Sequence, residues 1–342
     1  MSLLRDHPLA PLTTFGLQAS AKRLWSCSSQ QEVQEALGHA RSEGWPITVL
    51  GGGSNVLLTG DLEGLVLHNC IRGIELIKEE GEEVWIRVGA GESWHGLVMQ
   101  TLDEGWFGLE NLSLIPGSVG ASPMQNIGAY GIELEARFHA LDAVEVKTGA
   151  MRSFSHFECE FGYRESVFKR KLKGAYVITH VTFRLSRRPE LHLDYGAIRE
   201  ELERAGIEAP SPKDVSDAVI RIRKSKLPDP AEIGNAGSFF KNPVLDEAQF
   251  AKLKLAHPEV PHYPAAGGAG TKVAAGWLID RSGWKGHNRQ THGVHDRQAL
   301  VLVNHGGATG SDVLKLAEDI QADVLAKFGV SLEREVNVLP LP

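Results

Sequence analysis

The sequence is poor in cysteine: Cys27, Cys70 and Cys159 are the only three in 342 residues. They are odd in number and widely spaced, which argues against a disulfide framework and for a reducing, cytoplasmic setting. They also lack the spacing of a zinc or iron–sulfur site, so no metal is expected. No run approaches the about 18 uninterrupted apolar residues of a membrane span. The opening MSLLRDHPLAPL has no sustained apolar core of the kind a secretory signal needs. Excess positive charge is absent too, since 36 Lys and Arg stand against 43 Asp and Glu, a formal charge of -7. That removes the electrostatic footing for nucleic-acid binding, and the few local basic clusters suit a small anion better. Internal repeats and low-complexity tracts are lacking as well. What remains is a chain 42% hydrophobic and 23% charged with 37 glycines, an ordinary globular composition with room for two or three domains.

Residues 26–68 read as an α/β unit. Ser29 and Glu32 have capping-box spacing ahead of a helix whose apolar face is Val33, Ala36, Leu37 and Ala40, and Gly44 ends it. Ile47 to Leu50 is a short strand running into Gly51-Gly52-Gly53-Ser54-Asn55. The next strand, LVLHN at 65–69, ends in polar residues that emerge at an edge or a site. Between about 70 and 205 the pattern is mixed: VWIRVGAG, HALDAVEV and YVITHVTFRL read as strands, and Trp94, Leu97, Val98 and Leu102 mark a short helix. The glycine-rich stretch 109–131 is costly to order, which a bound ligand would explain, with a plain surface loop as the alternative. Ser211 and Pro212 start a helix whose core face is Val215, Val219 and Ile222, and Pro228-Asp229-Pro230 stops it. A second α/β region follows. Its last helix buries Val313, Leu316, Ala317, Ile320 and Val324, and a final strand is expected over 331–339.

Gly51-Gly52-Gly53 follows a strand, and glycines let backbone N–H groups approach a diphosphate closely. The run is neither a dinucleotide fingerprint nor a P-loop, and alone it reads equally as a tight turn. Ile115 to Ser122 is a second phosphate candidate, joined by Gln125, Asn126 and the Gly128-Ala129-Tyr130-Gly131 turn. Two such loops suit a cofactor with a diphosphate and a polar ring, such as a flavin dinucleotide. Arg164, in Phe161 to Ser166, offers planar donors suited to a carboxylate or an enolate; a surface salt bridge with Glu165 is the plainer reading. Ser238, between Gly237 and two phenylalanines, could donate a hydrogen bond or a proton, or be a buried serine satisfied by backbone. Its setting is not G-x-S-x-G, which disfavours a hydrolase nucleophile. Glu333, Glu335 and Asn337 alternate along the final strand, and periodicity does not choose between the glutamates.

Together, GGGSNVL at 51–57, SLIPGSVGASPMQNIGAYG at 113–131, FGYRESVFK at 161–169, KLPDP at 226–230 and NAGSFFKNP at 235–243 resemble the UDP-N-acetylenolpyruvoylglucosamine reductase family. The resemblance runs from Thr14-Phe15-Gly16 to the final Glu-Val. It implies an α/β (α+β) multidomain fold: a two-lobed FAD-binding region of the vanillyl-alcohol-oxidase-like type, expected at 1–69 and 70–210, and a C-terminal α/β substrate-binding domain at 211–342. It also implies non-covalent FAD, NADPH as co-substrate, and reduction of UDP-N-acetyl-3-O-(1-carboxyvinyl)-glucosamine to UDP-N-acetylmuramate by a cytoplasmic monomer in peptidoglycan precursor synthesis. By resemblance, Gly51, Gly52, Gly53, Ser54 and Asn55, with Pro116, Gly117, Ser118, Gly120 and Ser122, cradle the FAD diphosphate and ribityl chain. Gln125, Asn126, Ile127 and Gly128 lie by the flavin, and Arg223 lies near the cofactor. Ser238 matches the serine that supplies the proton, Arg164 the arginine facing the substrate carboxylate, and Glu335 the C-terminal glutamate of that site. Lys226 and Tyr263 match positions for the substrate diphosphate. Tyr195 matches the loop that closes over substrate in the longer family subtype, and Asn242 and Lys285 are further substrate-side matches. Asn337 stands where the family often has arginine. The rival reading is a flavin oxidase of the same fold acting on a sugar or alcohol, yet the GGGSN stretch holds no histidine for covalent attachment.

Overall fold

The computed structural model describes residues 3–265, 268 and 270–340. The chain forms two compact units, each assembled from separate stretches: Met1–His7, Ala21–Gly52 and Glu63–Ser225 in the first, and Pro8–Ser20, Gly53–Leu62 and Lys226–Pro342 in the second. This division differs from breaks at 69/70 and 210/211. Residues 8–20 and 53–62 join the C-terminal part because their hydrogen bonds run there: Thr14 Oγ1 donates to Asn235 O at 2.6 Å and Thr59 N–H to Leu339 O at 2.7 Å.

In the first unit, helix α1 (Gln30–Glu43) buries Val33, Ala36, Leu37 and Ala40 completely. Ser29 Oγ accepts from Glu32 N–H at 3.2 Å, but Glu32 turns its carboxylate to Ser28, so only half of the expected capping box forms. Gly44 ends the helix in the left-handed conformation, φ 68°. The α1 face packs with Leu65, Leu67, Val144 and Val177. A five-stranded antiparallel sheet runs Met151–Ser155, Phe138–Glu145, Tyr176–Ser186, Glu83–Gly89, Ile74–Glu80 in spatial order. Helix α2 (Trp94–Asp103), capped by Ser93, seats Trp94, Leu97 and Val98 in the core cluster of that sheet, with Trp94 edge-on to Phe183. Helices α3 (Gly196–Arg204) and α4 (Pro212–Lys226) pair through Ile198 and Leu202 against Val215, Val219 and Ile222. Ser211 and Asp214 cap α4 reciprocally.

The second unit holds α5 (Glu247–Ala256), α6 (Ala275–Arg281) and α7 (Gly310–Phe328). All five expected core residues of α7 are fully buried. One three-stranded antiparallel sheet is ordered Gly234–Ser238, Val301–Asn304, His292–Val294, and another Val244–Leu245, Thr271–Val273, His262–Pro264. The expected strand over 331–339 is corrected: only Asn337–Leu339 is a strand, parallel to Val56–Leu58. The chain changes partner within that stretch. Glu333 O and Glu335 N–H first bond to Lys241 N–H and Phe239 O, and two residues later Asn337 bonds to Asn55.

Candidate active site

In the first unit the two glycine loops, distant in sequence, meet backbone to backbone. A Cβ on Gly52 would lie 2.9 Å from Gly117 Cα, and one on Gly51 would lie 2.3 Å from Ser118 Oγ. Ser118 Oγ accepts from Gly52 N–H at 3.2 Å, and Gly117 has φ 111°, a conformation that favours glycine. The loops border a cleft of about 220 Å³ that His68, Asn69, Cys70, Arg72, Gly91 and Ser93 also line. Glycine-walled clefts with a nearby guanidinium are what a diphosphate needs, so these residues fit a dinucleotide such as FAD. A larger cleft of about 400 Å³ beside Trp45 and Val146 contains none of the expected site residues.

His68, Cys70 and Arg72 are additions that motif reading missed, although the polar end of the 65–69 strand was their signal. Cys70 Sγ lies 3.4 Å from His68 Nδ1. Burial raises the Cys70 thiol, with Arg72 and Ser26 opposing, and burial lowers His68, helped by Arg72 and His7. Both shifts favour neutral groups.

Residues 109–131 fold as 3₁₀ turns at Glu110–Leu112, Val119–Ala121 and Pro123–Gln125, then a two-residue strand at Gly128–Ala129. Three non-glycine residues here are left-handed: Leu114 (φ 58°), Asn126 (φ 43°) and Tyr130 (φ 51°). Such conformations persist only when neighbours hold them. Arg223 Nε donates to Leu114 O at 3.2 Å, and His95 Nδ1 accepts from Leu114 N–H at 3.0 Å. Asn126 is fully buried and spends its amide within the protein, donating to Glu133 and Gly162 O and accepting from Glu135 N–H. Ser122 likewise donates its hydroxyl to Val119 O at 2.6 Å. Gln125 and Ile127 are half-buried, and Pro116 and Gly120 lie in the same stretch.

Arg164 sits at the tip of a reverse turn closed by two hydrogen bonds between Gly162 and Glu165. Its own φ is 53°. Its guanidinium donates to Asn126 O at 3.4 Å and, over a shorter distance, to Gly128 O, so it is bound to the flavin-side loop predicted from sequence. Burial lowers Arg223 from its ordinary value, against the pull of the Tyr130 hydroxyl, and the charge of Arg164 lowers it further. Tyr195, 47% exposed, stands edge-on to Tyr130 with ring centroids 5.2 Å apart.

In the second unit, Ser238 ends the strand Gly234–Ser238 after Gly237, whose φ is 68°. Asn235 Oδ1 accepts from Gly237 N–H, and Phe239 N–H donates to Leu300 O, so the serine is held from both sides. Phe239 and Phe240, both buried, anchor the turn. Glu335 N–H donates to Phe239 O at 2.8 Å, and Asn55 Nδ2 donates to Glu335 O at 3.3 Å. The chain segment bearing Glu335 is thereby tied beside Ser238. Glu333 pairs with the buried Lys241 ammonium at 2.6 Å. Asn337 donates twice to Asn55 O, binding the tail to the Ser54-Asn55 segment. Gly53 approaches the backbone of Leu12, where a Cβ would meet Leu12 O at 2.0 Å.

The substrate-side residues are less uniform. Asn242 Oδ1 accepts from Ala275 N–H at 2.9 Å and so caps α6, whose own N-cap is an alanine. Lys285 pairs with Asp280 at 2.8 Å. Tyr263 lies on a short strand and is 52% exposed, and Lys226 is exposed at the end of α4. Among the described residues no group of three or more His, Cys, Asp or Glu could hold a metal. No helix of the described residues is long and apolar enough to cross a membrane.

The FAD binding domain model matches residues 21–155, and the model of the UDP-N-acetylenolpyruvoylglucosamine reductase C-terminal domain matches residues 229–339. The chain is 53% identical over 339 residues to the UDP-N-acetylenolpyruvoylglucosamine reductase of Azoarcus sp. (strain BH72), covering 98% of this chain and 97% of that protein. It is 51% identical over 340 residues to the Pseudomonas aeruginosa enzyme of the same name, covering 99% and 100%. The crystal structure of UDP-N-acetylenolpyruvylglucosamine reductase from Thermus caldophilus superposes with a TM-score of 0.67 at 27% identity, over 99% of this chain and 100% of that one. With likeness of this extent from end to end, the chain belongs to the UDP-N-acetylenolpyruvoylglucosamine reductase family.

Proposed function

We propose that Ser238, Arg164 and Glu335 carry the chain's reaction, the flavin-dependent reduction of UDP-N-acetyl-3-O-(1-carboxyvinyl)-glucosamine to UDP-N-acetylmuramate. The observation that supports this most is the convergence of the two glycine loops, where a Cβ on Gly52 would meet Gly117 Cα at 2.9 Å. Gly51, Gly52, Gly117 and Ser118 hold the FAD diphosphate, with Gly53, Ser54, Asn55, Pro116 and Gly120 completing the two loops. Gln125, Ile127 and Gly128 lie along the flavin, while Asn126, Ser122 and Arg223 shape that loop from within. When bound, FAD would supply the hydride chemistry that links NADPH to the terminal carbon of the enolpyruvyl group.

The protein's part is electrostatic and protonic. Arg164 binds the substrate carboxylate and stabilises the negative charge that develops next to it, which is assistance given where the transition state needs it. Ser238 Oγ gives its proton to the carbon bearing the ether oxygen, completing the lactyl ether. Glu335 orients the group beside Ser238. Lys226 and Tyr263 receive the substrate diphosphate, Tyr195 closes over the sugar, and Asn242 and Lys285 support that side. NADPH and a nucleotide sugar as substrates, with three unbridged cysteines, fit a cytoplasmic monomer without nucleic acid as a partner. Incubation with NADPH and the enolpyruvyl UDP-sugar should give a product heavier by one H₂, with NADPH consumed in equal amount. NADPH oxidation that does not depend on the sugar would sink the proposal.

A further inference from the structure

Asn111 lies in the turn Glu110–Leu112 and is 2% exposed. Its Nδ2 donates to Tyr130 O at 3.2 Å and to His192 O at 2.9 Å. An amide NH₂ has two hydrogens, and both are used. One acceptor is the backbone of the turn next to Gly128, and the other is the backbone of the segment leading into Tyr195. The same two segments touch again through their side chains. The Tyr195 ring stands edge-on to Tyr130, and Leu191, Leu193 and Tyr130 all pack on the α3–α4 cluster. Tyr130 has φ 51°, a conformation that L-residues other than asparagine and aspartate rarely adopt. The direction of its carbonyl therefore depends on a partner that holds it.

We propose that Asn111 is a positioning residue, a latch that ties the tyrosine loop to the flavin-side turn through a single amide. Loop position and turn geometry are then set together. A side chain with two donors on one short stem is required: aspartate would set a carboxylate against two carbonyl oxygens, and serine has one donor and a shorter reach. The effect on substrate rests on the reading above, in which Tyr195 acts on the sugar side and residues 125–128 on the flavin side.

The test uses the full, FAD-loaded chain as wild type, Asn111→Asp and Asn111→Ser. Serine leaves room for water and guards against simple misfolding of the aspartate variant. Amide hydrogen exchange over residues 190–196, measured without substrate, should accelerate about tenfold in both variants, the scale of one lost buried hydrogen bond. KM for the enolpyruvyl UDP-sugar should rise about tenfold, while kcat and the rate of flavin reduction by NADPH stay within about twofold. Faster exchange with an unchanged KM supports the latch and overturns the assignment of Tyr195 to the sugar. Unchanged exchange at 190–196 in a folded variant, or equal loss in both half-reactions, overturns the latch itself.

Discussion

Ser238 is fixed by backbone bonds on either side and by two buried phenylalanines, so its hydroxyl is a small group on a rigid mount. Ser238→Ala removes one oxygen and leaves those bonds intact. We expect unchanged FAD content and unchanged reduction by NADPH, with reoxidation by the enolpyruvyl UDP-sugar slowed about 10²–10⁴-fold in stopped flow. Reoxidation at the wild-type rate would assign the proton to another group. Arg164 differs because its guanidinium also braces the loop through Asn126 O and Gly128 O. Arg164→Met should slow reoxidation far more than reduction, and also lower stability by about 1 kcal/mol, the usual net contribution of a hydrogen bond. Equal slowing of both half-reactions would reduce the arginine to a structural brace. Gly52→Ala must displace Gly117, so the purified protein should carry several-fold less FAD by absorbance. Sequence alone exposed these residues through their neighbours, glycine runs and a paired phenylalanine. It did not expose that the Asn126 side chain faces inward, because an amide that braces a loop and one that meets a ligand look identical in one dimension.

At the scale of elements, periodicity served best where one partner supplies the whole face. The core face of α1 and that of α7 are buried as their spacing predicts. It failed at 331–339, where the chain exchanges one strand partner for another within a few residues and no single alternation survives. A pH dependence belongs to the sheet Gly234–Ser238, Val301–Asn304, His292–Val294 and its flank. His292 Nε2 and His295 Nδ1 are buried without a partner. Burial lowers both imidazoles below 6.5; Asp312 opposes for His292, with Arg289, His305 and His287 adding to the lowering, while Asp296 opposes and Arg297 adds for His295. The folded state then resists protonation that the unfolded chain accepts near pH 6.5, so stability is full above that value and falls as pH drops toward the folded pKa. The melting temperature should fall by a few degrees between about pH 7.5 and about pH 5.5. The double variant His292→Gln/His295→Gln should flatten that slope; an equally steep slope in the variant would place the effect elsewhere.

For the whole molecule, the family and its chemistry were legible because five motifs occur in one order, whereas the division into units was not. Segments 8–20 and 53–62 belong with a stretch that begins only at Lys226, joined by bonds such as Thr14 to Asn235 (221 residues apart), and no local signal announces such a pairing. The cleft also brings His68 and Cys70 beside the glycine loops, which bears on how the cofactor is held. Burial raises the Cys70 thiol and leaves little of the nucleophilic thiolate that covalent attachment would use, so acid precipitation should release yellow flavin into the supernatant, and a yellow pellet would contradict non-covalent FAD. The whole reaction is a hydride taken from NADPH and delivered to an activated alkene. Its most direct test is anaerobic: stoichiometric NADPH is added to the FAD-loaded enzyme, followed by the enolpyruvyl UDP-sugar, while the flavin absorbance is recorded. The account predicts bleaching in the first step and full return of the yellow band in the second, with the lactyl ether as product. A flavin that stays bleached until oxygen is admitted, or one bleached by the sugar itself, would contradict it.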